Sequence, residues 1–295
     1  MVSDLYPFES HYITIEGHRC HYLDEGTGDP IVMLHGNPTW SFYYRNLILG
    51  LRDSYRVVVP DHIGCGLSDK PPLADYPYTL ERRVADLTTL MDHLNLNQKV
   101  TFVLHDWGGM IGMTYAHKHI DSIRRVVLLN TAAFRLPTTK KLPWSLWLVR
   151  NTWLGKYLVL RLNAFCRGAL RHCVVRPLPA DVRKEYLRPY GTPDHRVAVL
   201  QFVRDIPLSP TDPSYSIVEE VEKDLAKFAD IPTLICWGEK DFVFDNSFLE
   251  VWQSKLPHAQ VHSFPDAGHY VLEDKPAEIL ALVKEFLAKR TQSDG

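Results

Sequence analysis

The sequence has no long apolar run, no excess of charge and no paired-cysteine pattern, and each lack excludes a class of protein. Its longest hydrophobic stretch, residues 142–162, is broken by Arg150, Lys156 and Arg161, which makes it a poor membrane span. The formal charge is −2 and the isoelectric point near 6.7, so the chain as a whole carries no electrostatic footprint for nucleic acid. Its five cysteines, Cys20, Cys65, Cys166, Cys173 and Cys236, are odd in number and lack CxxC spacing. The opening MVSDLYPFESHY lacks the basic and apolar regions of a secretory signal, so a reducing cytoplasm is the expected compartment. Fourteen histidines include no HExxH, and no metal is expected. What remains is 45% hydrophobic over 295 residues, enough to fill a sizeable core.

Short apolar or β-branched runs recur at 31–34, 55–59, 100–104, 125–129, 233–236 and 261–264, separated by helical segments. Runs of this length are buried on both faces, and their alternation with helices implies a mostly parallel, doubly wound α/β sheet. HYITIEGHRCHYL, residues 11–23, alternates around Glu16-Gly17 and reads as a hairpin at the sheet edge. Helices are expected over 79–94 with Thr79 as N-cap, over 109–117, and over 276–290. The alternation stops between about Thr131 and Ser216, where tryptophans, prolines and helical periodicity occur without a strand. The expected organisation is a core of residues 1–130 and 217–295 with a helical cap inserted over 131–216, and a loose tail TQSDG.

After the strand VTFVL come His105-Asp106-Trp107-Gly108-Gly109 and then helical MIGMTYAHK. Strand, tight turn and helix in that order describe a nucleophile elbow, in which the turn exposes one side chain above the sheet and glycine lets the helix pack closely. The exposed residue here is Asp106, and Leu104 stands where such elbows usually have their first glycine. A carboxylate is already ionised near neutral pH and can displace a leaving group at saturated carbon, which gives an ester of Asp106. A histidine oriented by a second carboxylate must then direct water onto that ester. Both follow in the expected chain order: Asp241 just past the strand TLICW, with Asp245 and Asp266 as competitors, and His269 after the strand VHSF.

Upstream, His35-Gly36-Asn37-Pro38 follows the strand IVML, where the fold supplies a second N–H to an oxyanion hole. The Asn37 amide and the Trp107 indole are donors with no charge to lose, suited to holding a departing anion. Phe134, Trp144, Phe165, Phe202 and Leu208 are the residues expected to line the substrate pocket.

Together HGNPTWSFYYR, PDHIGCGLSDKP, HDWGGMIG, WGEKDFVFD and DAGHYVLEDKP resemble the haloalkane dehalogenases over essentially the whole chain. The resemblance implies an α/β-hydrolase fold, Asp106 as nucleophile, His269 as base, Asp241 as acid, and Asn37 and Trp107 as halide ligands whose backbone N–H groups form the oxyanion hole. It implies no cofactor, and halide with small apolar substrates as partners. Because Asn130, not an acid, follows VVLL, the pattern resembles the subgroup with an Asp–His–Asp triad, which overlaps with β-lactone decarboxylases of long-chain olefin biosynthesis. NTAAFRLPTTKKLPW and DIPLSPTDPSY look especially like those enzymes.

Four functions are therefore open at this point. Haloalkane hydrolysis comes first, followed by decarboxylation of a β-lactone by the same nucleophile. Epoxide hydrolysis would need a tyrosine such as Tyr157, Tyr186, Tyr190 or Tyr215 to protonate the oxygen. A non-catalytic receptor on a retired fold comes last, because the triad is complete.

One further feature owes nothing to any family. Between Asp121 and Asp181 there is no Asp or Glu, while Arg124, Arg125, Arg135, Lys140, Lys141, Arg150, Lys156, Arg161, Arg167, Arg171 and Arg176 are interleaved with Trp144, Trp147, Trp153 and Tyr157. Such a mixture fits a face for self-association, an acidic partner or a membrane surface, as well as a pocket wall with solvated cations.

Overall fold

The computed structural model describes residues 4–289. Eight strands form one sheet: β1 (His11–Ile15), β2 (His18–Glu25), β3 (Pro30–Leu34), β4 (Arg56–Pro60), β5 (Val100–Asp106), β6 (Ile123–Thr131), β7 (Thr233–Gly238) and β8 (Gln260–Phe264). Their order is β1-β2-β4-β3-β5-β6-β7-β8, with the β1–β2 and β2–β4 pairs antiparallel and the remaining pairs parallel. The hairpin turns at Glu16-Gly17, both at positive φ, and β1 lies at the edge as its alternation requires.

The parallel strands send alternate side chains to two cores, as a period of two demands. Val32, Leu34, Phe102, Leu104, Val126 and Leu128 pack on one face with α2 (Leu80–His93) and α3 (Trp107–Lys118). Ile31, Met33, Val57, Val59, Val103, Val127 and Leu129 pack on the other with α1 (Arg45–Leu51) and the C-terminal helix. Thr79 caps α2, its hydroxyl accepting from the Arg82 N–H. The helix read at 109–117 begins earlier, at Trp107, because the chain leaves β5 directly into helical backbone after a single residue.

Between β6 and β7 every regular element is helical: α4 (Trp144–Asn151), α5 (Trp153–Leu160), α6 (Ala164–His172), α7 (Ala180–Leu187), α8 (Val197–Arg204) and α9 (Tyr215–Asp224). The fold closes with α10 (Asn246–Lys255), α11 (Val271–Asp274) and α12 (Pro276–Ala288), which starts on a proline that needs no N–H partner. TQSDG lies outside the described residues. Among those described, no helix is long and apolar enough to cross a membrane.

Candidate active site

Asp106 is the last residue of β5 and the N-cap of α3, held at φ 51°, ψ −125°. A side chain rarely adopts this left-handed backbone, and its cost is borne by packing around the turn. The Thr131 hydroxyl donates to the Asp106 carbonyl at 2.5 Å. Behind the turn, Gly108 lets α3 sit against β3: a Cβ there would stand 1.9 Å from the Leu34 carbonyl oxygen. Gly108→Ala is accordingly expected to destabilise the fold. Overpacking against fixed backbone costs about 1–3 kcal/mol or more, which exceeds the helix-propensity gain of about 1 kcal/mol. Urea denaturation should show a lower midpoint with unchanged m-value; a wild-type midpoint would mean that α3 has room to move.

The carboxylate of Asp106 meets donors from two loops. The Asn37 backbone N–H donates to Oδ1 at 2.6 Å, and His269 Nε2 lies 3.5 Å from Oδ2. His269 Nδ1 in turn donates to Asp241 Oδ2 at 2.7 Å, and all three residues are buried. The competing acids are elsewhere: Asp245 caps α10 and pairs with Lys140, and Asp266 pairs with Lys275 at the surface. Asp241 Oδ1 accepts the Val243 and Phe244 N–H groups at 2.7 and 3.0 Å, which fixes the loop after β7. Burial alone would raise the Asp106 pKa, but His269, His105 and the Asn37 N–H outweigh it and hold the carboxyl below its usual range. Burial likewise disfavours charge on His269, yet the Asp241 and Asp106 carboxylates dominate and push it up to about 10. Both carboxylates therefore favour the charged form of His269.

Two neighbours of these three residues have hydrogen-bonding roles that the sequence does not show, although it marks Asn130 as a non-acid after VVLL. His105 sends its Nε2–H to the His269 carbonyl at 2.9 Å, with ring centroids 4.7 Å apart. Burial and then the His269 charge drive the His105 pKa down to about 3, so it stays a neutral prop. Asn130, at the end of β6, donates from Nδ2 to Asp241 Oδ2 at 3.1 Å and accepts the Gly238 N–H at 2.8 Å. Only the β6–β7 pairing brings these groups together.

Asn37 and Trp107 both border the same cavity as Asp106 and His269. The Asn37 side-chain amide spends one N–H on the Val199 carbonyl at 3.0 Å, which ties the loop after β3 to α8 and leaves its second hydrogen uncommitted. Trp107 makes no indole hydrogen bond among the described residues. The loop behind Asn37 is locked by buried His35, whose Nε2 accepts the His62 N–H at 3.1 Å while Nδ1 donates to the Gly36 carbonyl at 2.8 Å. Among the described residues, no cluster of three or more His, Cys, Asp or Glu side chains is placed to hold a metal ion.

The cavity measures about 700 Å³ and runs from this floor into the helices inserted between β6 and β7. Phe134, Trp144 and Phe165 line it, as the sequence suggests; Phe202 and Leu208 do not. On α8 it is Val203 that faces the cavity, and Phe202, a helical step of about 100° away, is fully buried behind it. There the Phe202 ring lies 5.3 Å from the Trp107 ring and 3.7 Å under the Arg83 guanidinium. Leu208 is turned aside in a loop whose N–H binds Asp212, and Ile206 and Pro207 take the wall position. None of Tyr157, Tyr186, Tyr190 and Tyr215 borders the cavity. Tyr186 donates to Glu273, Tyr190 to the Thr39 carbonyl, and Tyr215 accepts from Arg135.

Comparison with known proteins gives the chain a family. A family profile described as the alpha/beta hydrolase fold matches residues 29–158 and 169–276. A cis-3-alkyl-4-alkyloxetan-2-one decarboxylase of Shewanella oneidensis is 50% identical, covering 98% of this chain and 91% of that protein. Haloalkane dehalogenase 2 of Mycobacterium bovis is 32% identical over 95% of this chain and 96% of its own. Among solved structures, the haloalkane dehalogenase DatA from Agrobacterium tumefaciens superposes with a TM-score of 0.85 at 27% identity, covering 95% of this chain and 96% of that one.

Proposed function

The chain belongs to the α/β-hydrolase fold family, among relatives that include cis-3-alkyl-4-alkyloxetan-2-one decarboxylases and haloalkane dehalogenases, and from this membership we propose that it decarboxylates cis-dialkyl β-lactones through Asp106. The observation that carries the reading is the cavity of about 700 Å³, apolar along its walls and ending on a buried carboxylate. Its size suits a drug-sized ligand, which a few-carbon haloalkane would underfill. The order of the first two expectations is thereby reversed, and the second reading, haloalkane hydrolysis, keeps the support of the 32% identical relative. Epoxide hydrolysis loses ground because the four candidate tyrosines are committed or exposed away from the cavity. In this reading residues 131–216 act as a cap on a core of 1–130 and 217–295.

With Oδ1 of Asp106 held by the Asn37 N–H, Oδ2 is the attacking oxygen. It attacks the saturated ring carbon bonded to the ring oxygen, from the face opposite that oxygen. The carbon–oxygen bond breaks, and its electron pair leaves on a carboxylate received by the second Asn37 amide hydrogen and the Trp107 indole N–H. The bond to that carboxylate then breaks, its electrons form the carbon–carbon double bond, Asp106 departs as a carboxylate, and carbon dioxide is released. Inversion followed by antiperiplanar loss keeps cis substituents cis. No water is consumed. With a haloalkane the same attack releases halide, and His269 must then direct water onto the ester.

The test is to offer the pure protein a long-chain cis-β-lactone, a 1-bromoalkane and an epoxide, and to measure olefin, halide and diol. The expected product is the cis olefin, with no β-hydroxy acid formed by addition of labelled water. Rapid halide release with no olefin would hand the protein to the second reading.

With a bromoalkane the two steps should separate by pH. Because the Asp106 pKa is lowered, the attacking form persists as pH falls, so the alkylation burst should stay level down to the ordinary carboxylate range near 4. Ester hydrolysis needs neutral His269 and should rise with pH. Alkylation removes one of the two carboxylates that sustain the imidazolium, so that rise should lie below the resting value of about 10. Stopped-flow measurement of burst and steady state across pH checks both; a burst that titrates together with hydrolysis would contradict the division of roles.

A further inference from the structure

Helices α4 and α5 present to solvent a face that no other described residue covers. On α4, Trp144 and Trp147 are one turn apart and 78% and 55% exposed; on α5, Trp153 is 79% exposed, with Leu154 and Tyr157 beside it at 41% and 49%. These spacings, i to i+3 and i to i+4, make one apolar stripe along each helix, and the two helices pack against each other. Contiguous large apolar groups on a surface mark a site of contact.

The charge around the stripe indicates what it contacts. Several of the cations between Asp121 and Asp181 are neutralised from outside that interval: Arg135 by Glu219 and Glu222, Lys140 by Asp245, and Arg150 by Asp212. Lys156, Arg161, Arg167 and Arg171 are exposed and have no carboxylate partner among the described residues. Lys156 and Arg161 adjoin the stripe on α5, and Arg167 and Arg171 lie on the solvent side of α6, which packs on α5. A second copy of the chain meeting this face symmetrically would bring like charges together. Tryptophan with uncompensated Lys and Arg instead matches the boundary of an anionic bilayer, where the rings sit among headgroups and the cations meet phosphate. The cavity reaches the surface in the same place, since Trp144 and His172 are both exposed and both line it.

We infer that α4, α5 and the outer side of α6 form a docking surface for an anionic lipid bilayer, with the mouth of the cavity at headgroup level. The inference goes beyond the reaction proposed above and does not depend on it. Flotation of the full chain with phosphatidylcholine vesicles, with and without phosphatidylglycerol, tests it. At 0.1 M salt, where the screening length is about 10 Å, the protein should float only with the anionic vesicles; at 1 M, where it is about 3 Å, binding should be lost. Changing Lys156, Arg161, Arg167 and Arg171 to Gln should weaken partitioning about fivefold each, or several hundredfold together. Trp147→Ser with Trp153→Ser should lower binding while leaving turnover of a water-soluble bromoalkane or lactone within about twofold, since neither ring borders the cavity. A wild-type protein that ignores phosphatidylglycerol vesicles at 0.1 M salt would overturn the inference. So would equal, salt-insensitive binding to both vesicle types, or sedimentation showing a dimer that these tryptophan changes dissociate while vesicles are ignored.

Discussion

Replacing His269 with Phe is expected to stop bromoalkane turnover after a single chemical event, leaving an alkyl ester on Asp106. A general base contributes about 10²–10⁴ to the step it serves, so hydrolysis should fall by at least that range while halide is still released once per molecule. The phenyl ring preserves the stack on Phe244, 5.7 Å away at an interplanar angle of 23°, and the contact with His105. Asp241 loses the His269 N–H but keeps the Val243 and Phe244 N–H groups and Asn130, so its carboxylate stays hydrogen-bonded. Outside burial, His269 is foremost among the groups that lower the Asp106 pKa. Its removal should therefore move the acid limb of the alkylation burst to higher pH. Mass spectrometry should find the added alkyl group on the peptide that contains Asp106; an adduct elsewhere, or hydrolysis at the wild-type rate, would refute the assignment.

The same variant separates the two chemistries. Decarboxylation by the route above needs no water, so His269→Phe should still make olefin from a cis-β-lactone while failing to turn over a bromoalkane. If olefin formation also stops and a carboxylate-bearing adduct accumulates on Asp106, His269 takes part in breaking the carbon–carbon bond and the proposed second step is wrong.

How much of this was legible in the chain depended on how local each feature is. The turn at Asp106 is written in consecutive residues, an apolar strand, the exposed carboxylate and the glycines Gly108 and Gly109, so local rules reach it. The placement of Asp241 and His269 after strand ends follows from chain order in a parallel sheet. Asn130 stood out only as the non-acid after VVLL, and neither its hydrogen bonds nor those of His105 could be read locally, because they reach groups more than a hundred positions away. In the inserted helices, composition gave the right kind of residue but not the rotation of α8, which is why Phe202 was assigned a wall that Val203 occupies. The long acid-free interval likewise overstated the free charge, because Glu219, Glu222, Asp245 and Asp212 reach back to it from later elements. Length along the chain is a poor guide to a field set by neighbours in space.

Asp241→Asn is expected to lower bromoalkane turnover by about 10⁴ while the protein stays folded. In the wild type, Asp241 Oδ2 takes the His269 Nδ1–H and so fixes the tautomer that leaves Nε2 toward Asp106. An amide in that place can present its own N–H to Nδ1, which favours the opposite tautomer and withdraws the charge that supports the imidazolium. The remaining oxygen can still accept the Val243 and Phe244 N–H groups, so the loop after β7 should hold. Asn130 makes the experiment sharper, because its Nδ2 already touches the Oδ2 that His269 uses, at 3.1 Å. Adding Asn130→Asp to Asp241→Asn restores a carboxylate on the far side of that shared position. The double variant should recover at least about tenfold in turnover, equivalent to about 1.4 kcal/mol of transition-state stabilisation, whereas Asn130→Asp alone should slow the enzyme by setting two buried carboxylates against each other. Steady-state rates of the four proteins form a closed cycle. If the two changes simply add, the acid that orients His269 cannot be moved across the β6–β7 pair; if Asp245→Asn or Asp266→Asn proves more damaging than Asp241→Asn, the acid has been misassigned.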